Sequence, residues 1–148
     1  MSTCRAYRYE LGRDWDTVRR RVCWIMLNPS KAYAETDDNT IRRCVGFSKL
    51  WGYGGLVVVN LFALRATSPA VLRAATERIG PENDRHIREA VSAASATVVA
   101  WGCHGSLANR DLSVLTDLKC WNLPILCLGL TAAGTAVAHH VINEALGL

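Results

Sequence analysis

The sequence predicts an α/β fold: a three-layer α/β/α sandwich, with a mainly parallel four-stranded central sheet plus an outer N-terminal strand, in a single domain over residues 1–148. Three observations lead there. Four short apolar runs, Val22 to Leu27, Leu56 to Leu61, Thr97 to Trp101 and Leu123 to Leu128, have the length and β-branched content of strands. They are apolar on both faces, as suits strands covered by a layer on each side. Helical patterns separate them, and strands alternating with helices indicate βαβ units with right-handed crossovers.

Taken in order, Arg5 to Leu11 alternates weakly and reads as the outer strand, with Gly12-Arg13-Asp14 as its turn. The first central strand stops abruptly at Asn28-Pro29-Ser30. Pro29 cannot donate to a sheet ladder and biases Asn28 toward an extended backbone. A polar loop, Lys31 to Asp37, leads to a helix capped by Asp38 or Asp37. Its face is Ile41, Cys44, Val45, Ser48 and Leu50, with Gly52 ending it and Arg42 and Arg43 projecting elsewhere.

The second central strand holds three consecutive valines and then Asn60, a polar residue that must find partners if buried. Ser68-Pro69 reads as an N-cap followed by Pro at the first helical position, starting a short helix over residues 70–75. Asn83 or Asp84 caps another through Ala94, with Ile87, Ala90, Val91 and Ala94 on one face. After the third strand, Gly102-Cys103-His104-Gly105 is an exit loop. Leu107 to Leu118 is helical, with Leu112, Leu115 and Leu118 three apart. The fourth strand follows, then a loop from Gly129 to Gly134 and a final helix from Ala136 to Leu146.

The composition is that of a globular domain: 148 residues, half of them hydrophobic and a fifth charged, with a formal net charge of +4. That charge is compatible with an anionic partner, yet the densest basic cluster, Arg19-Arg20-Arg21, reads first as a solvated strand entry. The six cysteines show no CxxC spacing and are expected to be reduced thiols of a cytoplasmic protein. The N-terminus lacks an apolar signal core, and no apolar segment reaches membrane-spanning length, so no membrane role is expected.

Parallel strands bring their C-terminal ends to one edge. Asn28, Asn60, His104 and the loop after Leu128 should therefore converge there, where open α/β sheets bind ligands. Asn28-Pro29-Ser30 are also all turn formers, which a plain turn would explain. There is no Walker loop, no GxGxxG after a strand and no GxSxG around Ser30 or Ser106. Cys103 and His104 are adjacent, and on an extended chain adjacent residues point opposite ways, a poor nucleophile–base pair. His104 can donate to an anion or serve as a base. His139-His140 offers a second candidate, of which one can face a cleft. No motif supports a metal site, and no cofactor is expected.

Several stretches resemble the DUF1643 family of small uncharacterised bacterial and phage proteins. They are Tyr9-Glu10-Leu11 with Trp15, Ile25-Met26-Leu27-Asn28-Pro29-Ser30, Asp37-Asp38-Asn39-Thr40-Ile41-Arg42-Arg43-Cys44 and Trp51-Gly52-Tyr53-Gly54-Gly55. Val59-Asn60-Leu61-Phe62-Ala63-Leu64-Arg65-Ala66-Thr67, Gly80-Pro81-Glu82-Asn83-Asp84 and Ala100-Trp101-Gly102 with His104-Gly105 follow in order. The likeness covers nearly the whole chain, but the family name carries no established chemistry. More distantly, the order of elements looks like the uracil-DNA glycosylase superfamily. That likeness implies a turn, here Asn28-Pro29, positioning water at the sugar C1′. It implies an Asn reading the base edge, here Asn60, and a late His stabilising the departing base, here His139 or His140. Where DUF1643 relatives carry a Gly-x-Pro-x-His-Pro-Leu-Tyr run, this chain has Gly134-Thr135-Ala136-Val137-Ala138-His139-His140-Val141, without either proline.

Three readings of function follow. The first is a glycosylase-like hydrolase acting on a base of DNA or a nucleotide. Asn28, His139 and His140 would be catalytic, and Pro29, Ser30, Asp38, Asn60, Trp101 and His104 would contact the substrate. Lys31, Arg42, Arg43 and Arg65 would hold phosphates. The second is a non-catalytic nucleotide or nucleic-acid binding module on the same cleft. The third is a structural, partner-binding domain using Trp51 and Tyr53. The sequence sets no oligomeric state.

Overall fold

The computed structural model describes residues 7–29, 39–66, 68–101, 103–121 and 125–127. Its elements run β1 (Leu11–Asp14), β2 (Arg21–Met26), α1 (Asn39–Leu50), β3 (Gly55–Asn60), α2 (Pro69–Ala74), α3 (Asn83–Ala93), β4 (Ala96–Val99), a 3-10 segment (Cys103–Asn109), α4 (Arg110–Cys120) and β5 (Ile125–Cys127). The five strands form one sheet in the order β1-β3-β2-β4-β5. All neighbours are parallel except the outer pair, β1 and β3, which is antiparallel. The expected α/β architecture is what forms. The final helix expected from Ala136 lies outside the described residues.

Strand alternation sorts the core into two layers. Val22, Trp24, Leu56, Val58, Ala96 and Val98 face α1, where Ile41 and Cys44 pack on them. Cys23, Ile25, Val57, Val59 and Val99 face the other way, onto Leu72 of α2, Ile87 and Val91 of α3, and Val114 and Leu118 of α4. Fully burying a side chain of the size of Leu118 or Ile25 is worth about 1.5–3 kcal/mol. Sheets apolar on both faces fold only with both faces covered, so these runs specify the three layers.

Four sequence expectations are corrected. Among the described residues the outer strand is Leu11–Asp14, preceded by an isolated antiparallel bridge between Tyr7 and Leu64, and Gly12-Arg13-Asp14 is strand rather than turn. The reason is Arg21: its guanidinium crosses over Gly12, where a Cβ would lie 2.8 Å from Nη2, to donate to the Leu56 carbonyl at 3.1 Å and pair with Asp14 at 2.9 Å. The turn comes later, held by Trp15 and Asp16 N–H groups on the Gly54 carbonyl. A Cβ on Gly54 would meet the Asp16 carbonyl oxygen at 1.9 Å, so this close approach requires glycine.

Leu50 does not join the buried face of α1; it is 78% exposed, just before Gly52 ends the helix at φ +89°. On α4 the buried positions are Arg110, Val114 and Leu118, four apart, and Leu112 is 59% exposed. The leucine spacing of three was a poorer guide than the spacing of four that includes an arginine. Asn83 does not cap α3 from outside. It lies inside the first turn, fully buried, while Glu82 occupies the N-cap without a side-chain bond. Ser68, by contrast, caps α2 as expected, its Oγ accepting from Val71 N–H at 3.3 Å with Pro69 opening the helix.

Candidate functional site

The parallel register sets the C-terminal edge. Met26 pairs with Asn60, Ile25 with Val99, and Val99 with Cys127. Beyond the strands, Leu61 N–H donates to the Met26 carbonyl and Phe62 N–H to the Leu27 carbonyl, and Ala100 N–H donates to Ile25. The chain leaving β2 goes to α1 on one face; the chain leaving neighbouring β4 goes to α4 on the other. Connections that diverge from adjacent parallel strands open a crevice at their C-terminal ends, the usual ligand position in such sheets. Asn28-Pro29 stands on one lip and Ala100-Trp101 on the other.

Asn28 is half-buried, and its Nδ2 donates to the Ala66 carbonyl at 2.9 Å, with a marginal 3.4 Å approach to the Pro29 carbonyl. Carbonyl partners fix which end of the amide is nitrogen, since only N–H donates. The Asn28 Oδ1 makes no hydrogen bond to a described residue, so it remains an acceptor. Pro29 is buried, which anchors the turn. Across the crevice, Trp101 is half-buried against the core, and Gly105 lies under its ring, where a Cβ would come within 2.2 Å of Cδ1.

Asn60 ends β3 at 3% exposure. Alternation from Leu56 and Val58 puts its side chain on the α1 face. Its backbone carbonyl accepts from Asn83 Nδ2 at 2.8 Å, while its own Oδ1 is buried without a hydrogen-bond partner. Such an acceptor costs about 1–3 kcal/mol unless a donor reaches it. Arg42 and Arg43 are exposed on the outer face of α1, and half-buried Arg65 adjoins Ala66. His104 lies within the 3-10 segment, with its side chain outside the described set. Ser30, Lys31, Asp38, His139 and His140 lie outside the described residues altogether. The structure thus gathers Asn28, Asn60 and Trp101 at one edge and sets Arg42 and Arg43 around its flank.

Sequence reasoning missed the polar knot behind this edge. Asn83 Nδ2 bridges the carbonyls of Asn60 and Leu61, at 2.8 and 3.1 Å. Arg110, with its side chain only 5% exposed, donates from Nε to the same Leu61 carbonyl at 2.8 Å and from Nη2 to Asp84 at 2.6 Å. Together they tie the starts of α3 and α4 to the end of β3. The available signal was Arg110 sharing a face with Val114 and Leu118.

At the outer rim, His86 stacks on Tyr9 at 4.5 Å between centroids and meets Glu10 at 3.0 Å. Cys23, inside β2, is no candidate nucleophile: burial pushes its thiol well above the ordinary range. Cys23 and Cys44 are buried and Cys120 is exposed, and none of the three is in a disulfide. Among the described residues no group of three or more His, Cys, Asp or Glu is arranged to hold a metal ion, and no helix is long and apolar enough to cross a membrane.

No curated protein and no solved structure is significantly similar to the chain. One family does match: residues 8–140 fit the family described as "Protein of unknown function (DUF1643)". That stretch runs from the anchor of the outer strand through both lips of the crevice and beyond, so the chain belongs to the DUF1643 family.

Proposed function

We propose that the chain is a hydrolase of N-glycosidic bonds, acting on a base of DNA or a nucleotide in the crevice between β2 and β4. The observation that carries this reading is the orientation of Asn28. Its nitrogen is engaged by Ala66, which leaves Oδ1 at the lip as an acceptor for one O–H of a water. The water oxygen would bond to the sugar C1′ as the C1′–N bond breaks. The base leaves with the bonding electron pair and takes up the proton that the water loses. An amide oxygen is a weak base, so the rate would come from placing the water and from stabilising charge on the base.

Trp101 offers a ring against which a base can stack, and Asn60 supplies an unsatisfied acceptor deeper at the same edge. By the more distant likeness to the uracil-DNA glycosylase superfamily, His139 or His140 would stabilise the leaving base; Lys31, Arg42, Arg43 and Arg65 would hold phosphates as positioning contacts. Ser30, Asp38, Pro29 and His104 complete the proposed contacts. A base in a duplex would have to be flipped out to reach the crevice. The test is incubation with oligonucleotides bearing a panel of modified bases, with abasic products read by mass spectrometry. Release that disappears in Asn28→Ala supports the reading, and no release across the panel overturns it.

A second reading, a binding module without chemistry, is favoured by one feature: the Gly134–Val141 run lacks both prolines of its relatives' pattern. It predicts salt-dependent binding of nucleic acid with no base released.

A further inference from the structure

Gly46 sits in the middle of α1, on its exposed face. Glycine is the worst ordinary residue for a helix interior. Here nothing in the fold asks for it: a Cβ built on Gly46 would meet no atom within 4 Å. The neighbours make it unusual. Arg42, Arg43, Lys49 and Leu50 stand four and three residues before it and three and four after it, and all four are exposed. On a helix those positions ring a central residue. At Gly46 the outer face of α1 is therefore bare backbone, fringed by three cations and one exposed leucine.

The charge on this face is one-sided. Over Asn39–Leu50 the helix holds Arg42, Arg43 and Lys49 and no carboxylate. On the opposite side of the sheet, α3 balances Arg85 and Arg88 with Asp84 and Glu89, and α4 balances Arg110 and Lys119 with Asp111 and Asp117. Neither Arg43 nor Lys49 pairs with a described carboxylate; Lys49 instead lies over the Trp15 ring, 5.4 Å from its centroid.

We propose that this saddle binds the sugar-phosphate backbone of a nucleic-acid strand, with Gly46 letting the strand lie directly against the helix. The inference rests on the proposed base-directed activity and deepens it by naming a polymer as the substrate. Arg43 and Lys49 are about 9 Å apart along the helix axis. That spans between two and three strand steps of about 3.4 Å each, more than a single phosphate covers. α1 follows Asn28 in the chain and runs from the site's edge toward the opposite one, so Arg43 lies nearer the crevice and Lys49, over Trp15, nearer Gly54.

The test is fluorescence anisotropy with a short, labelled, unmodified oligonucleotide, which needs no base release. Wild type is expected to bind with an affinity that falls as salt rises. Arg43→Glu with Lys49→Glu should weaken binding and flatten the salt dependence by about two units of slope. Gly46→Leu separates binding from folding: it should raise the melting temperature, since leucine favours helix, yet weaken oligonucleotide binding severalfold. Unchanged affinity in Gly46→Leu overturns the proposal, as does association with anionic lipid vesicles in place of oligonucleotide. A wild type that releases base from a free nucleoside but binds no oligonucleotide overturns this inference alone and leaves the hydrolase reading standing.

Discussion

The Asn28 side chain donates to the Ala66 backbone carbonyl at 2.9 Å, linking the segment after β2 to the segment after β3 across the sheet edge. The bond does two things. It holds together two chain exits 38 residues apart, and it decides which end of the amide faces the crevice. Asn28→Asp would put a carboxylate oxygen against that carbonyl, at a cost of about 1–3 kcal/mol. The new carboxyl is held above its unfolded pKa of about 3.9. Its protonated form can donate as the amide does, so the variant should match wild type best below that pH and fall behind as pH rises through the folded value. Urea unfolding across this range checks the direction.

The knot behind the edge makes a second prediction. Asn83→Leu leaves the buried Asn60 carbonyl without its side-chain partner and should cost about 1–3 kcal/mol. Arg110→Met should cost a similar amount, because Leu61 loses a charged donor while Asp84 stays largely in solvent. Both side chains donate to the Leu61 carbonyl, so each single variant leaves it one donor and the double variant should cost more than the sum of the singles. Equilibrium denaturation of the four-protein cycle reads the coupling.

Gly105→Ala should destabilise by about 1–3 kcal/mol, since the added methyl overlaps the Trp101 ring. The ring must then move, so the variant should also lose ligand affinity at the crevice. Thermal unfolding together with a binding measurement tests both.

The cysteines divide by burial. Cys120 should react readily with a thiol reagent in the native protein, with Cys23 and Cys44 protected until it unfolds. Because burial raises the Cys23 thiol, its contribution to stability is complete below the unfolded value of about 8.5. It is lost above that pH, at up to about 1.4 kcal/mol per pH unit. Cys23→Ala, though less stable at neutral pH, should show a shallower alkaline decline than wild type.

How much of this could be read from the residues follows their physics. The central strands were legible because apolar runs between turn signals have few other uses. Parallel pairing then predicts Asn28, Asn60, His104 and the loop after Leu128 at one edge; Asn28 and Asn60 are found there, while the His104 side chain and that loop lie outside the described residues. The outer strand was misplaced because Gly12 looks like a turn former until Arg21 is seen crossing it. Asn83 and Arg110 were unreadable as a pair. Their shared acceptor is a backbone carbonyl, which carries no sequence signature, and the two residues meet only once α3 and α4 pack side by side.

A crevice between β2 and β4 that takes a base beside Asn28 must respond to free nucleoside at that edge. Titrating isotope-labelled protein with unphosphorylated nucleosides, and following its amide and indole N–H resonances, tests this most directly. Shifts are expected in the Asn28 side-chain amide, the Ala100 amide and the Trp101 indole, with the far-edge signals of Trp51 and Gly54 unmoved. Saturating nucleoside that leaves Asn28 and Trp101 where they were, or moves only the far edge, would contradict it.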